Sequence, residues 1–321
     1  LRAEQQKLED VLANPSTLKR LMVKEIEADA KQFADARRTL IQAEKKAVAE
    51  VKLLDEPVTV IISEKGWART QKGWHSATSA NASGSASSAD GAAPQYSFKA
   101  GDALHSTFEC RSIDTLLCFG SNGRIYSVPV ASLPGGRGDG QPLTTLLDLQ
   151  AGTQLLHYFA GTAQATLLLS ISAGYGFIAN VGDMVSRQRA GKAFITCNAG
   201  ETVCPPSPLL GVPNEHGEGK PATHVACASA GGRLLTFALG ELKSMPNGGR
   251  GLMLISLDDK DALVGAAAYT CSIRVMGVGR GGKAREETLE IRSLNNAAAA
   301  RARKGKQAQW GFKPQRIECV E

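Results

Sequence analysis

The sequence predicts a mainly β protein, a propeller-like ring of about five small four-stranded sheets, preceded by a helical segment. Three observations carry that reading. A hairpin signature (apolar strand, glycine turn, second strand, Gly/Arg loop) recurs five times at intervals of roughly fifty residues, the mark of short-stranded sheets stacked radially. Beyond Pro57 the apolar period is two, as in Val58, Val60 and Ile62 or in Leu235, Phe237 and Leu239. Finally, 34 glycines punctuate the 321 residues, as a body of tight turns requires.

Residues 1–56 form the helical part. Asn14 and Pro15 suit an N-cap followed by the first helical position. Leu18, Leu21, Met22, Ile26, Phe33 and Leu40 fall on one stripe at helical spacing. The sequence holds no second helical body to cover that stripe, so its partner is expected in a preceding portion of a longer protein. The start at Leu1, inside a helical pattern and without an initiator Met or a signal peptide, agrees with a piece of a cytosolic chain. Glu56-Pro57 closes the helical part and opens the first strand.

Residues 57–321 hold the repeats. Thr59-Val60-Ile61-Ile62 leads into Gly66-Trp67-Ala68-Arg69, and Leu116-Leu117-Cys118-Phe119 into Gly123-Arg124-Ile125-Tyr126. Leu167-Leu168-Leu169 leads into Gly174-Tyr175-Gly176-Phe177, and Val225-Ala226-Cys227 into Gly232-Arg233-Leu234-Leu235. The fifth copy runs from Ile273-Arg274-Val275-Met276 into Gly279-Arg280-Gly281-Gly282. One stretch, His75 to Gln95, is nearly all Ser, Ala, Gly, Thr and Asn, and reads as a flexible loop in the first repeat. Near the end, Trp310 and Phe312 either stack on nucleic acid beside the basic residues or fill the last strand's core, and the core reading is preferred.

Several chemistries find no support. No apolar run reaches the ~18 residues of a membrane helix. The seven cysteines (Cys110, Cys118, Cys197, Cys204, Cys227, Cys271 and Cys319) show no CxxC pair or metal-ligand spacing and read as buried free thiols in a reducing compartment. Gly277-Val278-Gly279-Arg280-Gly281-Gly282 fits G-x-G-x-x-G, but a basic tail follows where a dinucleotide site needs a helix, a strand and an acidic residue. The five histidines are scattered over separate loops and strands, the tyrosines lie in or near strands, and no P-loop or nucleophile is apparent.

Charge points to a polyanion. The net charge is +6. Lys/Arg and Asp/Glu balance at 11 each over residues 1–56 and at 15 each over 57–269, whereas residues 270–321 hold 11 against 5. The whole excess therefore lies in the last repeat and tail. Cations also recur at or after each turn: Arg69 and Lys72; Arg124 and Arg137; Arg187, Arg189 and Lys192; Arg233 and Arg250; Arg280, Lys283 and Arg285. Arg301, Arg303, Lys304 and Lys306 follow in the tail. On a closed ring such positions share radius and height, so they would form a band along the rim that holds a DNA duplex by its phosphates. The Gly/Arg loops 134–138 and 247–251 would let backbone N–H groups approach phosphate closely. As solvated turns the same residues need no function.

These residues also resemble a known family. Leu117-Cys118-Phe119-Gly120-Ser121-Asn122-Gly123-Arg124-Ile125-Tyr126-Ser127, Leu133-Pro134, and Arg137-Gly138-Asp139-Gly140-Gln141-Pro142-Leu143 are similar to the C-terminal region of bacterial type IIA topoisomerase A subunits. Phe33-Ala34-Asp35-Ala36-Arg37-Arg38-Thr39-Leu40-Ile41 resembles the end of that family's breakage-reunion core. The gyrase branch carries a basic glycine-rich box in its first-repeat loop, where this chain has the uncharged His75–Gln95 stretch. Degenerate boxes survive in Arg187-Gln188-Arg189-Ala190-Gly191-Lys192 and Arg301-Ala302-Arg303-Lys304-Gly305-Lys306. Ser172-Ala173-Gly174-Tyr175-Gly176-Phe177 resembles the topoisomerase IV branch.

The resemblance implies a β-pinwheel that binds and bends double-stranded DNA for ATP-dependent strand passage, decatenation and chromosome segregation. It implies a nucleoid-associated cytoplasmic enzyme in which two copies of the A subunit join the B subunit of topoisomerase IV. A chromosome-organising protein stands as a further candidate partner. The family's Mg2+, ATP and nucleophilic tyrosine belong to other parts of that enzyme, so no catalytic or metal residue is carried over. The rival reading is a ring that recruits a protein and whose basic tail is merely solvated.

Overall fold

The computed structural model describes residues 1–34, 54–74, 96–136, 138–209 and 221–320. Two compact units result, Leu1–Val51 and Lys52–Glu321. In the first, helices α1 (Arg2–Ala13) and α2 (Pro15–Phe33) meet at Asn14. The Asn14 Oδ1 accepts the Ser16 backbone N–H at 3.1 Å, and Pro15 sits where a free N–H would have no helical partner. Leu18, Leu21, Met22, Ile26 and Phe33 are all exposed, so the stripe is formed but uncovered. Leu40 lies outside the described residues.

The second unit is a five-bladed propeller. Strands β1 (Pro57–Ser63) and β2 (Trp67–Lys72) make the first hairpin and β3 (Leu104–Arg111) joins β1 on the other side. Strands β4 (Thr115–Gly120) and β5 (Arg124–Pro129) make the second hairpin. The chain then turns back: β6 (Gln141–Pro142) pairs with β2 of the first sheet, and only afterwards does β7 (Leu155–Gly161) complete the second. The same excursion follows each later hairpin. After β8 (Thr166–Ile171) and β9 (Tyr175–Asn180), β10 (Lys192–Ala193) returns to β5 and β11 (Ser207–Pro208) pairs with β8. After β12 (His224–Ser229) and β13 (Arg233–Ala238), β14 (Leu252–Met253) returns to β9 and β15 (Leu263–Tyr269) pairs with β12. After β16 (Ser272–Gly279) and β17 (Ala284–Glu290), β18 (Lys306–Gln307) returns to β13 and β19 (Phe312–Val320) pairs with β16. Each blade after the first thus lends a two-residue strand to the outer edge of the blade before it.

Four sheets have four strands and the last, β17-β16-β19, has three among the described residues. In the other four sheets the fourth strand is supplied by the segment that follows the next hairpin.

Packing explains why the hairpin strands read as nearly continuous apolar runs. Successive side chains enter different cores: Leu116 and Cys118 pack toward the first sheet, whereas Leu117 and Phe119 pack toward the third. Four such cores lie between consecutive sheets. These strands are therefore buried on both faces rather than half-buried, a consequence of stacking sheets face to face. Among the described residues no fifth apolar cluster joins the last sheet to the first. Trp310 and Phe312 stack at 6.3 Å against the core between the fourth and fifth sheets, as the core reading expected.

Of the seven thiols, Cys110, Cys118, Cys204 and Cys227 are buried, but Cys271 is exposed, contrary to expectation, because it sits in the turn between β15 and β16.

Candidate nucleic-acid interface

The loops that carry the predicted cations are the strand-exchange segments, and their first task is structural. A glycine at positive φ precedes each returning strand: Gly140, Gly191, Gly251 and Gly305. A Cβ on Gly251 would stand 2.3 Å from the Gly176 carbonyl oxygen, closer than real side chains approach. These glycines let one backbone pass over another strand's carbonyl. The phosphate-approach role expected of loop 247–251 is corrected accordingly, because Gly248 and Gly249 hydrogen-bond Met245 and Phe194 instead of pointing N–H groups to solvent.

Several predicted rim cations are occupied in the same way. Arg69 is 6% exposed, donates to the Gly138 carbonyl and lies 5.6 Å from the Phe98 ring, so it pins a loop from inside and is withdrawn from the band. Arg124 donates to the carbonyls of Ala190 and Gly191 at 3.0 and 2.8 Å, fastening the loop that carries β10. Arg189 grips the Leu146 and Thr145 carbonyls at 2.9 and 2.6 Å, and Lys192 the Asp183 carbonyl at 2.9 Å. Arg301 reaches the Met253 carbonyl at 2.6 Å. In each case a guanidinium or ammonium satisfies orphan backbone carbonyls at a blade junction.

Others are neutralised by carboxylates. Arg250 forks onto Glu201 at 2.8 and 2.7 Å and stacks 4.5 Å from the Tyr175 ring. That bidentate contact holds the Glu201 carboxyl below its ordinary range. Asp258 takes Lys304 at 2.5 Å and Arg233 at 3.2 Å, and Lys304 chiefly lowers its pKa. Lys72 pairs with Glu56 at 3.0 Å, both partly solvated. Arg137 lies outside the described residues, as does the whole His75–Gln95 stretch.

What is left is a smaller set. The side chains of Arg187, Arg280, Lys283, Arg285, Arg303 and Lys306 are exposed and have no ion pair or hydrogen bond among the described residues. Five of these six belong to the last hairpin or to the segment returning from it. The turn Arg280–Gly282 projects beyond β16 and β17, with Gly281 and Gly282 at φ 81° and 75°. Exposed Arg292, in the helical turn after β17, and Lys313, in β19, add to the cations of the last blade. They were missed in sequence because neither stands at a hairpin turn, although the basic excess of residues 270–321 pointed to them.

Among the described residues no group of three or more His, Cys, Asp or Glu side chains could hold a metal ion, and no helix is long and apolar enough to cross a membrane. With no P-loop in the sequence either, the described residues do not fit Mg2+ or ATP.

Comparison with known proteins agrees with the geometry. A family model described as DNA gyrase C-terminal domain, beta-propeller, matches residues 114–148 and 223–269. The A subunit of DNA topoisomerase 4 from Neisseria gonorrhoeae is 36% identical over 313 residues, 95% of this chain and 37% of that protein. The corresponding Escherichia coli K12 protein is 32% identical over 269 residues, 83% of this chain and 32% of that one. In structure, the C-terminal domain of E. coli ParC superposes with a TM-score of 0.64 at 28% identity, over 82% of this chain and 98% of that domain.

The chain holds a β-propeller domain related to the C-terminal domains of the topoisomerase IV and gyrase A subunits. A gyrase A C-terminal domain shares this propeller fold at TM-score 0.52 and 16% identity, over 81% of this chain and 80% of that one. The chain spans only about a third of the length of the two curated relatives named above. Within this propeller fold, the strand-exchange glycines and the loop-pinning arginines add to the apolar cores that join each blade to the next.

Proposed function

We propose that residues 57–321 bind and bend double-stranded DNA without reading its sequence, as the C-terminal domain of a topoisomerase IV A subunit. The carrying observation is the set of exposed, unpartnered cations gathered on the last hairpin and the segment that returns from it. Phosphate binding needs charge that no carboxylate has already neutralised, and these side chains meet that condition where Arg233, Arg250 and Lys304 do not. The six free cations stand on turns, loops and short strands and none on a helix that could enter a groove, which favours contact with the backbone. Bending a short site costs about 1–6 kcal/mol, offset by added phosphate contacts.

On this reading the domain presents DNA to a type IIA enzyme that passes one duplex through another with ATP hydrolysis. The enzyme would be assembled from two A and two B subunits, and would work in the cytoplasm on the nucleoid. Absence of the charged box from the first-repeat sequence favours decatenation over gyrase-type wrapping. Binding of the chain to two unrelated duplexes of about 30 base pairs tests the first claim. Equal affinities that fall steeply between roughly 50 and 200 mM salt are expected, and a flat salt response overturns it. For the whole enzyme, decatenation without introduction of negative supercoils is expected, and the reverse places it with gyrase.

A further inference from the structure

The last blade ends in an edge that every other blade has closed. In the first four sheets the returning strand adds antiparallel to the first residues of β2, β5, β9 and β13. Just beyond each returning strand, a further bond reaches the hairpin tip. The N–H groups of Leu143, Ile195, Leu254 and Ala308 donate to the carbonyls of Gly66, Gly123, Gly174 and Gly232 at 2.9, 2.9, 2.7 and 2.9 Å. The segments share one form, a left-handed glycine and then two extended residues, and two of the four put Lys first (Lys192 and Lys306).

The corresponding strand of the last blade, β17, pairs with β16 alone. The Gly279 N–H donates to the Lys283 carbonyl at 2.9 Å, which fixes the alternation of the ladder. Arg285, Glu287 and Leu289 therefore turn their backbone groups to β16, and Ala284, Glu286 and Thr288 turn theirs outward. Among the described residues no backbone hydrogen bond reaches those outward groups. Residues 284–288 are all exposed. Glu286, Glu287 and Glu290 outnumber Arg285, so this strand is acidic although the turn before it is basic. An acidic edge repels phosphate and attracts a cationic peptide.

We propose that β17 is a strand-acceptor site for a short extended segment of a partner protein, of the form Gly followed by Lys or Arg. It would add antiparallel, as β10 and β18 add within this chain, with main-chain bonds giving affinity and the carboxylates giving preference for a basic segment. This proposal does not depend on the DNA-binding reading, since it rests on the outward backbone groups of Ala284, Glu286 and Thr288, and of the unpartnered cations only Arg285 stands on the same strand.

The test uses the 321-residue chain and a blocked hexapeptide, Arg-Lys-Gly-Lys-Gln-Ala, copied from residues 303–308. Saturating peptide is expected to slow amide exchange at Ala284, Glu286 and Thr288 at least tenfold and to leave Arg285, Glu287 and Leu289 unchanged. Thr288→Pro removes one outward N–H without touching the β16 ladder, and is expected to weaken binding about tenfold. Should that variant misfold, the double change Glu287→Lys and Glu290→Lys is expected to weaken binding to a similar degree through charge alone. Three results would overturn the proposal. One is no protection at millimolar peptide, which would make the acidic edge a guard against pairing. Another is equal binding of a scrambled peptide with the glycine moved. The third is protection of the same amides by self-association in the absence of peptide.

Discussion

Replacing Gly251 with Ala tests whether strand exchange, rather than hairpin packing alone, holds the blades together. Gly251 has φ 81°, and an added Cβ meets the Gly176 oxygen at 2.3 Å, its carbon at 2.5 Å and Phe177 Cδ1 at 2.9 Å. The left-handed backbone alone costs Ala about 1–2 kcal/mol. The contact is with backbone, so it cannot be relieved by a rotamer change. β14 must move off β9, giving up its Leu252–Gly176 pairing and the Leu254 N–H bond to Gly174. At about 1 kcal/mol for each of two or three such bonds, the expected loss is about 3–5 kcal/mol. That corresponds to a Tm lower by roughly 10 °C for a body of this size. Gly240→Ala is the control, since no atom lies within 4 Å of its added Cβ and its φ is ordinary. Urea unfolding of the two variants beside the parent chain measures the difference. A Gly251→Ala variant within about 1 kcal/mol of the control, the size of a single such bond, would refute the claim that the returning strand carries stability.

Three further outcomes are expected. Neutralising Arg280, Lys283 and Arg285 together to Gln should reduce the log–log salt slope of duplex binding by about 2.7, at about 0.9 per phosphate contact; the matching change of Arg250 to Lys should leave the slope alone and cost only about 1 kcal/mol of folding stability through the lost fork on Glu201. Fluorescence anisotropy across salt and denaturant titration separate the two. Burial pushes His157 from its ordinary 6.5 to about 4, and nearby His105 and Arg316 act in the same direction against the Val203 carbonyl. A depressed pKa gives stability that is whole above about pH 6.5 and is lost as pH falls toward about 4, at most about 3 kcal/mol, and His157→Gln should flatten that part of the denaturation-midpoint profile. Thiol labelling in the folded state should reach Cys271 first, while Cys118 and Cys227, fully buried and with thiol pKa values raised by desolvation, react only on unfolding, as mass spectrometry would record.

Much of the fold was legible because its signals are local. A turn glycine between two apolar runs announces a hairpin whatever surrounds it, so Gly66, Gly123, Gly174 and Gly232 all stand where the repeat put them. The cap at Asn14-Pro15 and the start of β1 at Pro57 are likewise written in a few adjacent residues. The site was less legible. Arg69 and Lys72 are three residues apart on one strand, yet the first is buried beneath a loop from another repeat and the second is 85% exposed. No spacing distinguishes them, because the Gly138 carbonyl that withdraws Arg69 belongs to a segment 69 residues away.

The sequence by itself determined the repeat, the turns, the strand that opens at Pro57, and the basic excess of the last fifty residues, since each depends on neighbouring residues or on simple counting. Only the tertiary structure decided which sheet each two-residue strand joins, since two residues carry no period that could assign them. It likewise decided which cations face water, because a charge is freed or neutralised by partners brought from distant repeats. The open edge of β17 belongs to the same class: an edge is a statement about what does not pair with it, and pairing is settled by the whole ring.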